Sequence, residues 1–148
     1  MKYHIILTLS AILMAVTVSC ADHAARFETN ISEAEQALAD GQLTEAQSLT
    51  DALDADIDAG TLSAVQLGRL SLVHMKLNEA YTHDDFDNVG KAVACYHAAF
   101  EADADSARAF YADCAVADIP YCMTLTTIVK NIDEPMPWPE EEPDSIPM

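Results

Sequence analysis

Almost nothing in the body of this chain would stop a helix, and that constrains its fold most. Only Pro120 carries a proline ring before residue 135, and glycine occurs four times, at 41, 60, 68 and 90. Proline removes a backbone donor and glycine costs entropy in a helix, so such positions mark ends rather than interiors. Alanine is abundant, and no alternating apolar–polar run bounded by turn dipeptides argues for strands. The expected class is all-α.

Apolar spacing resolves the body, residues 30–132, into about six helices. Phe27, Ile31, Ala34 and Leu38 recur at helical intervals and stop at Asp40-Gly41, where Gly41 suits the left-handed position that closes a helix. A second helix starts at a Thr44/Gln47 capping box and carries Ala46, Leu49, Leu53 and Ile57 to Ala59-Gly60. The third starts at a Ser63/Gln66 capping box with Leu62 and Leu67 as a staple, and ends near Thr82-His83. Leu67, Leu70, His74, Leu77 and Tyr81 run down one face while Leu72 and Met75 add another, which predicts a central helix with His74 as a core histidine. A fourth begins around residues 85–88 and turns Val89, Val93, Tyr96 and Phe100 inward as far as Asp103. A fifth runs from Ser106 to Asp118 with Ala107, Phe110, Cys114 and Ala117 in line. Pro120 suits the first turn of a sixth, Tyr121 to Ile132, although Thr124, Thr126, Thr127, Ile128 and Val129 equally suit an extended segment. Short connections make these helices three consecutive antiparallel αα-hairpins.

The first and third helices start about 33 residues apart, near the tetratricopeptide period of about 34. Gly41-Gln42-Leu43-Thr44-Glu45-Ala46 resembles the entry to a repeat's second helix. Leu77-Asn78-Glu79-Ala80-Tyr81, Asp85-Phe86, Lys91-Ala92, Tyr96 and Ala99 are similar to a second repeat. Ala46 and Ala92 lie further apart than one period, and the repeat-ending prolines are missing. The tetratricopeptide-like resemblance implies a groove lined by residues 31–39, 64–82 and 106–118 that binds or scaffolds another protein.

The chain ends differ from the body. Met1-Lys2-Tyr3-His4, an uncharged run from Ile5 to Val18 and Ser19-Cys20 describe an export signal over residues 1–19, too short for a bilayer crossing of about 20 apolar residues. Thr17-Val18-Ser19-Cys20 resembles a relaxed bacterial lipobox, with Thr17 where leucine is commonest. That resemblance implies cleavage after Ser19, lipid on the Cys20 thiol, and a lipid anchor in a membrane of the cell envelope, the outer membrane of a Gram-negative bacterium by preference. Residues 20–29 then read as a tether. Residues 133–148 hold five of the six prolines and six acidic residues, so a disordered tail is expected. Within it Trp138 is either an anchor for a bound partner or a ring tucked back onto the helices.

Loss of residues 1–19 removes Lys2 and leaves all 25 acidic groups, so the formal charge moves from −18 to −19. Nucleic acid is excluded as a partner, because phosphates require clustered Lys and Arg. The expected partner is an unspecified envelope protein. Cys95, Cys114 and Cys122 remain besides Cys20, and export permits disulfides. Cys114 and Cys122 lie about one turn either side of Ile119-Pro120, which predicts that they pair.

The chemistry-bearing motifs fail. Asp54-Ala55-Asp56-Ile57-Asp58-Ala59-Gly60 echoes a calcium loop but lacks its glycine position and closing glutamate. His83, Asp84, Asp85 and Asp87 offer metal-ligand types in one loop, yet acidic residues there are also what helix capping selects. Neither a nucleophile elbow nor a phosphate loop is present, and Ser32, Ser63 and Ser106 read as helix caps. No catalytic residue, metal ligand or cofactor is therefore assigned, and the expected function is non-enzymatic. Small-ligand or divalent-metal binding through the acidic loops is the alternative.

Overall fold

The computed structural model describes residues 22–57, 62–81, 83 and 85–134; the export segment with Cys20 and the tail with Trp138 lie outside them. The described chain is all-α. Its helices are α1 (22–39), α2 (Leu43–Asp54), α3 (Ala64–Ala80), α4 (Asn88–Ala102), α5 (Ala104–Ala112) and α6 (Ile119–Asp133), with a 3-10 turn at Val116–Asp118. Six helices match the number expected.

Residues 22–29, read above as part of a tether, are instead the first turns of α1. The cause is Phe27, which lies one turn from Ile31 and is buried with it against Leu53, Leu67 and Leu70. Gly41 closes α1 as expected: it takes a left-handed φ of 74°, and the Gln42 N–H reaches the Ala37 carbonyl at 2.8 Å. The expected Thr44/Gln47 box does not form. Helix α2 begins at Leu43 behind an uncapped Gln42. Gln47 is buried, and its amide is engaged with Asp51 and Asn88.

Helix α3 opens on the Ser63/Gln66 capping box, Gln66 N–H donating to Ser63 Oγ at 3.2 Å and Ser63 N–H to Gln66 Oε1 at 3.0 Å. The Gln66 amide also donates to the Ala24 carbonyl at 3.1 Å, pinning the start of α1 to α3. Helix α3 is central. It contributes Leu67 and Leu70 to one core cluster, Val73 and Leu77 to a second and Met75 to a third. Each large side chain buried this way contributes about 1.5–3 kcal/mol relative to exposure.

Asp87 begins α4 from a left-handed φ of 53° and accepts from the Gly90 N–H at 3.3 Å. Two serines differ from expectation. Asp103, not Ser106, caps α5, accepting the N–H groups of Asp105 and Ser106 at 3.0 Å each. Ser32 lies inside α1 and donates to the Glu28 carbonyl at 2.9 Å. Helix α5 stops at Ala112, so Cys114 stands in an irregular turn rather than on the helix. Pro120 occupies the first turn of α6, and the β-branched run after it is helical. Thr126 and Thr127 donate their hydroxyls back to the carbonyls of Cys122 and Met123 at 2.7 and 2.8 Å, which reconciles them with a helix.

Candidate functional site

Two places in the fold bring chemistry together: an open groove between α5 and α6, and a buried polar chain where α2, α3 and α4 meet. The groove exists because α5 and α6 each rest on the central helices. Ala107 packs into the core of α3 and α4, and Leu125 and Val129 pack against Met75 and Ala92. Between them lies a space of about 800 Å³, lined by Tyr111, Cys114, Ile119, Cys122, Met123 and Lys130 among others. Met123 is 66 % exposed, an apolar side chain left without cover. Helix α3 buries Leu67, Leu70, Leu72, Val73, Met75 and Leu77, while its Lys76, Glu79 and Ala80 line a second open recess of about 480 Å³ with Glu35, Leu38 and Tyr121.

At the wall of the groove, Tyr111 packs tilted against Tyr96, 4.7 Å between ring centroids, and its hydroxyl lies 2.8 Å from Ser71 Oγ. Burial pushes its phenol above the ordinary range. The predicted cysteine partners are neighbours: Cys114 and Cys122 line the same groove, both as free thiols. Burial, then the neighbouring Cys114, push the Cys122 thiol up to about 12. Cys95 is apart from them, fully buried beside Leu70 and Ala99.

The polar chain is a continuous relay. Lys91 Nζ pairs with Asp51 Oδ1 at 2.5 Å, and Gln47 Nε2 donates to the same carboxylate at 2.9 Å. Asn88 Nδ2 donates to Gln47 Oε1 at 3.0 Å. Asn88 Oδ1 lies 2.9 Å from His74 Nδ1, and His74 Nε2 lies 2.8 Å from Asp54 Oδ1. Gln47, His74 and Asn88 are all buried. His74 is thus a core histidine with a partner at each ring nitrogen. The second Asp54 oxygen, Oδ2, is buried and accepts no hydrogen bond, with Lys91 Nζ standing 3.4 Å away. Asp54, His74 and Cys95 each present one ligand atom, all within 4.8 Å of one another.

A nucleophilic dyad is incompatible with this arrangement. A thiol needs a base to take its proton, and both His74 nitrogens are engaged elsewhere. Burial also pushes the Cys95 thiol far up. In the acidic loop, Asp87 serves as the cap of α4, and Asp84 lies outside the described residues. Sequence reasoning found His74 as a core residue but missed its partners, which come from two other helices. Among the described residues, no helix is long and apolar enough to cross a membrane. Comparison with protein-family models, with curated proteins and with solved structures finds no match to this chain.

Proposed function

We propose that the chain is a lipid-tethered, non-enzymatic helical module of the bacterial cell envelope, which binds another envelope protein through the groove between α5 and α6. The observation that carries the binding half of this reading is the groove itself, with Met123 and Ile119 exposed along it and Lys130 at its side. Exposed apolar side chains lining a recess of this size mark a contact surface. The tether half rests on Thr17-Val18-Ser19-Cys20 at the end of an apolar run. Several acyl chains at Cys20 hold a protein to a membrane far better than one.

A photo-crosslinking residue placed at Met123 in envelope preparations tests the groove. It should give one discrete adduct that the same residue at Glu33, exposed on α1, does not give. Identical patterns from both positions would remove the groove from the account. A second reading, divalent-metal binding, is favoured by the Asp54–His74–Cys95 grouping rather than by the acidic loop.

A further inference from the structure

We propose that Asp54, His74 and Cys95 form a three-ligand site for one divalent transition-metal ion of the zinc class. The inference is independent of the tether and of the groove.

The geometry has four parts. The ligands come from three helices that share the core: Asp54 ends α2, His74 lies mid-α3 and Cys95 lies mid-α4. Their donor atoms already stand within 4.8 Å of one another, and closing onto one ion needs side-chain shifts of about an ångström. Next, the amide relay sets the histidine. The Asp51 carboxylate can only accept, so Gln47 turns its NH₂ to Asp51 and its oxygen to Asn88. Asn88 must then present its oxygen to His74 Nδ1, which carries a proton as the donor. A ligating imidazole needs that arrangement, with one N–H held by a carbonyl so that the other nitrogen's lone pair faces the metal.

Third, His74 Nε2 lies 2.8 Å from Asp54 Oδ1, so two of the donor atoms already face each other directly. A metal ion held between them takes the place of the proton they share. The thiol proton of Cys95 leaves with it to solvent. Fourth, Asp54 Oδ2 is buried without a hydrogen bond and meets only the Lys91 ammonium, 3.4 Å away, so the carboxylate retains capacity for a cation. Asp54 is also the last residue of α2, where the helix dipole favours a cation.

The ligand set selects the ion. One thiolate, one imidazole and one carboxylate suit zinc and its borderline neighbours, whereas calcium and magnesium take oxygen alone. With the thiolate formed, Asp51, Asp54 and Cys95 balance Lys91 and a dication. Three protein ligands leave the fourth tetrahedral position to water.

Cobalt(II) titration of the full chain in detergent tests this, using a Cys20→Ser, Cys114→Ser, Cys122→Ser background in which Cys95 is the one remaining thiol. One equivalent should produce a thiolate-to-cobalt charge-transfer band and tetrahedral visible bands, and zinc should abolish both. Adding Cys95→Ser should remove the charge-transfer band. A folded Asn88→Ala variant should bind about ten- to a hundredfold more weakly, because it frees the ring without touching a ligand. Binding with no charge-transfer band would assign the ion to surface carboxylates and overturn the proposal; so would no binding at one equivalent. If the Cys95→Ser protein does not fold, the spectrum of the background protein decides alone.

Discussion

Ser63 is tied to α3 through its hydroxyl and its backbone N–H, both closed by Gln66, so truncating it leaves one helix donor without its partner. Ser63→Ala should lower stability by about 1 kcal/mol in urea unfolding, and an unchanged midpoint would show the cap to be dispensable. The Asp51–Lys91 pair makes a prediction about pH. Burial raises the Asp51 carboxyl, but hydrogen bonds from Lys91 and Gln47 and the Lys91 charge outweigh it and hold the group below its usual range. Burial likewise lowers Lys91, and the bonds and charges of Asp51 and Asp54 overcome it and hold the ammonium above its usual range. The depressed carboxyl contributes stability above its unfolded value, lost as pH falls through the folded one; the raised ammonium contributes below its unfolded value, lost as pH rises through the folded one. Both groups are partly exposed, so the effect is modest. Lys91→Met should therefore destabilise at neutral pH by an amount that shrinks at an acid pH well below the usual carboxylate range, where Asp51 is protonated in both proteins. Equal losses at the two pH values would contradict the pairing. Ser63 with Gln66 and Gly41 were legible because capping is local, a matter of residues three apart or one dihedral angle. Gln47 was misread for the complementary reason: its spacing fits a box, but its amide is held by Asn88, 41 positions away.

At the scale of elements, α3 and α5 cross at Gly68. A Cβ there would meet the Phe110 ring at 2.5 Å, so the close approach depends on the missing side chain. Gly68→Ala should cost about 1–3 kcal/mol, and combining it with Phe110→Leu should cost less than the two single changes together. Strict additivity in thermal or urea unfolding would mean that the crossing is not what Gly68 provides. The turn between α5 and α6 carries the other prediction at this scale. Oxidised protein should show a Cys114–Cys122 bridge by non-reducing peptide mapping, since those thiols line one recess while Cys95 is sealed in the core. A bridged Cys95 would refute it. Helix number and the central place of α3 were readable from apolar stripes at helical period. The end of α5 at Ala112 was not, because Ala115 and Ala117 carry good helix propensity and their departure from the helix is set by how α6 docks on Met75 and Ala92.

The described residues form a six-helix body built around one buried helix, with an apolar recess at the α5–α6 end and a polar relay where α2, α3 and α4 meet. The relay could not be read along the chain, because Asp54 and His74 stand 20 positions apart and meet only after three helices have packed. The contribution of α6 to the recess was equally out of reach, because Met123 and Lys130 meet Tyr111 and Cys114 only once α6 has docked. If the proposed tether at Cys20 holds this body to a membrane, Cys20→Ser should release it from membrane fractions or block its maturation. The most direct measurement is the mass of the N-terminal peptide isolated from membranes. Our account predicts a chain that begins at Cys20 and carries a diacylglyceryl thioether; a chain that still begins at Met1, or a membrane-retained Cys20 with a free or disulfide-bonded sulfur, would contradict it.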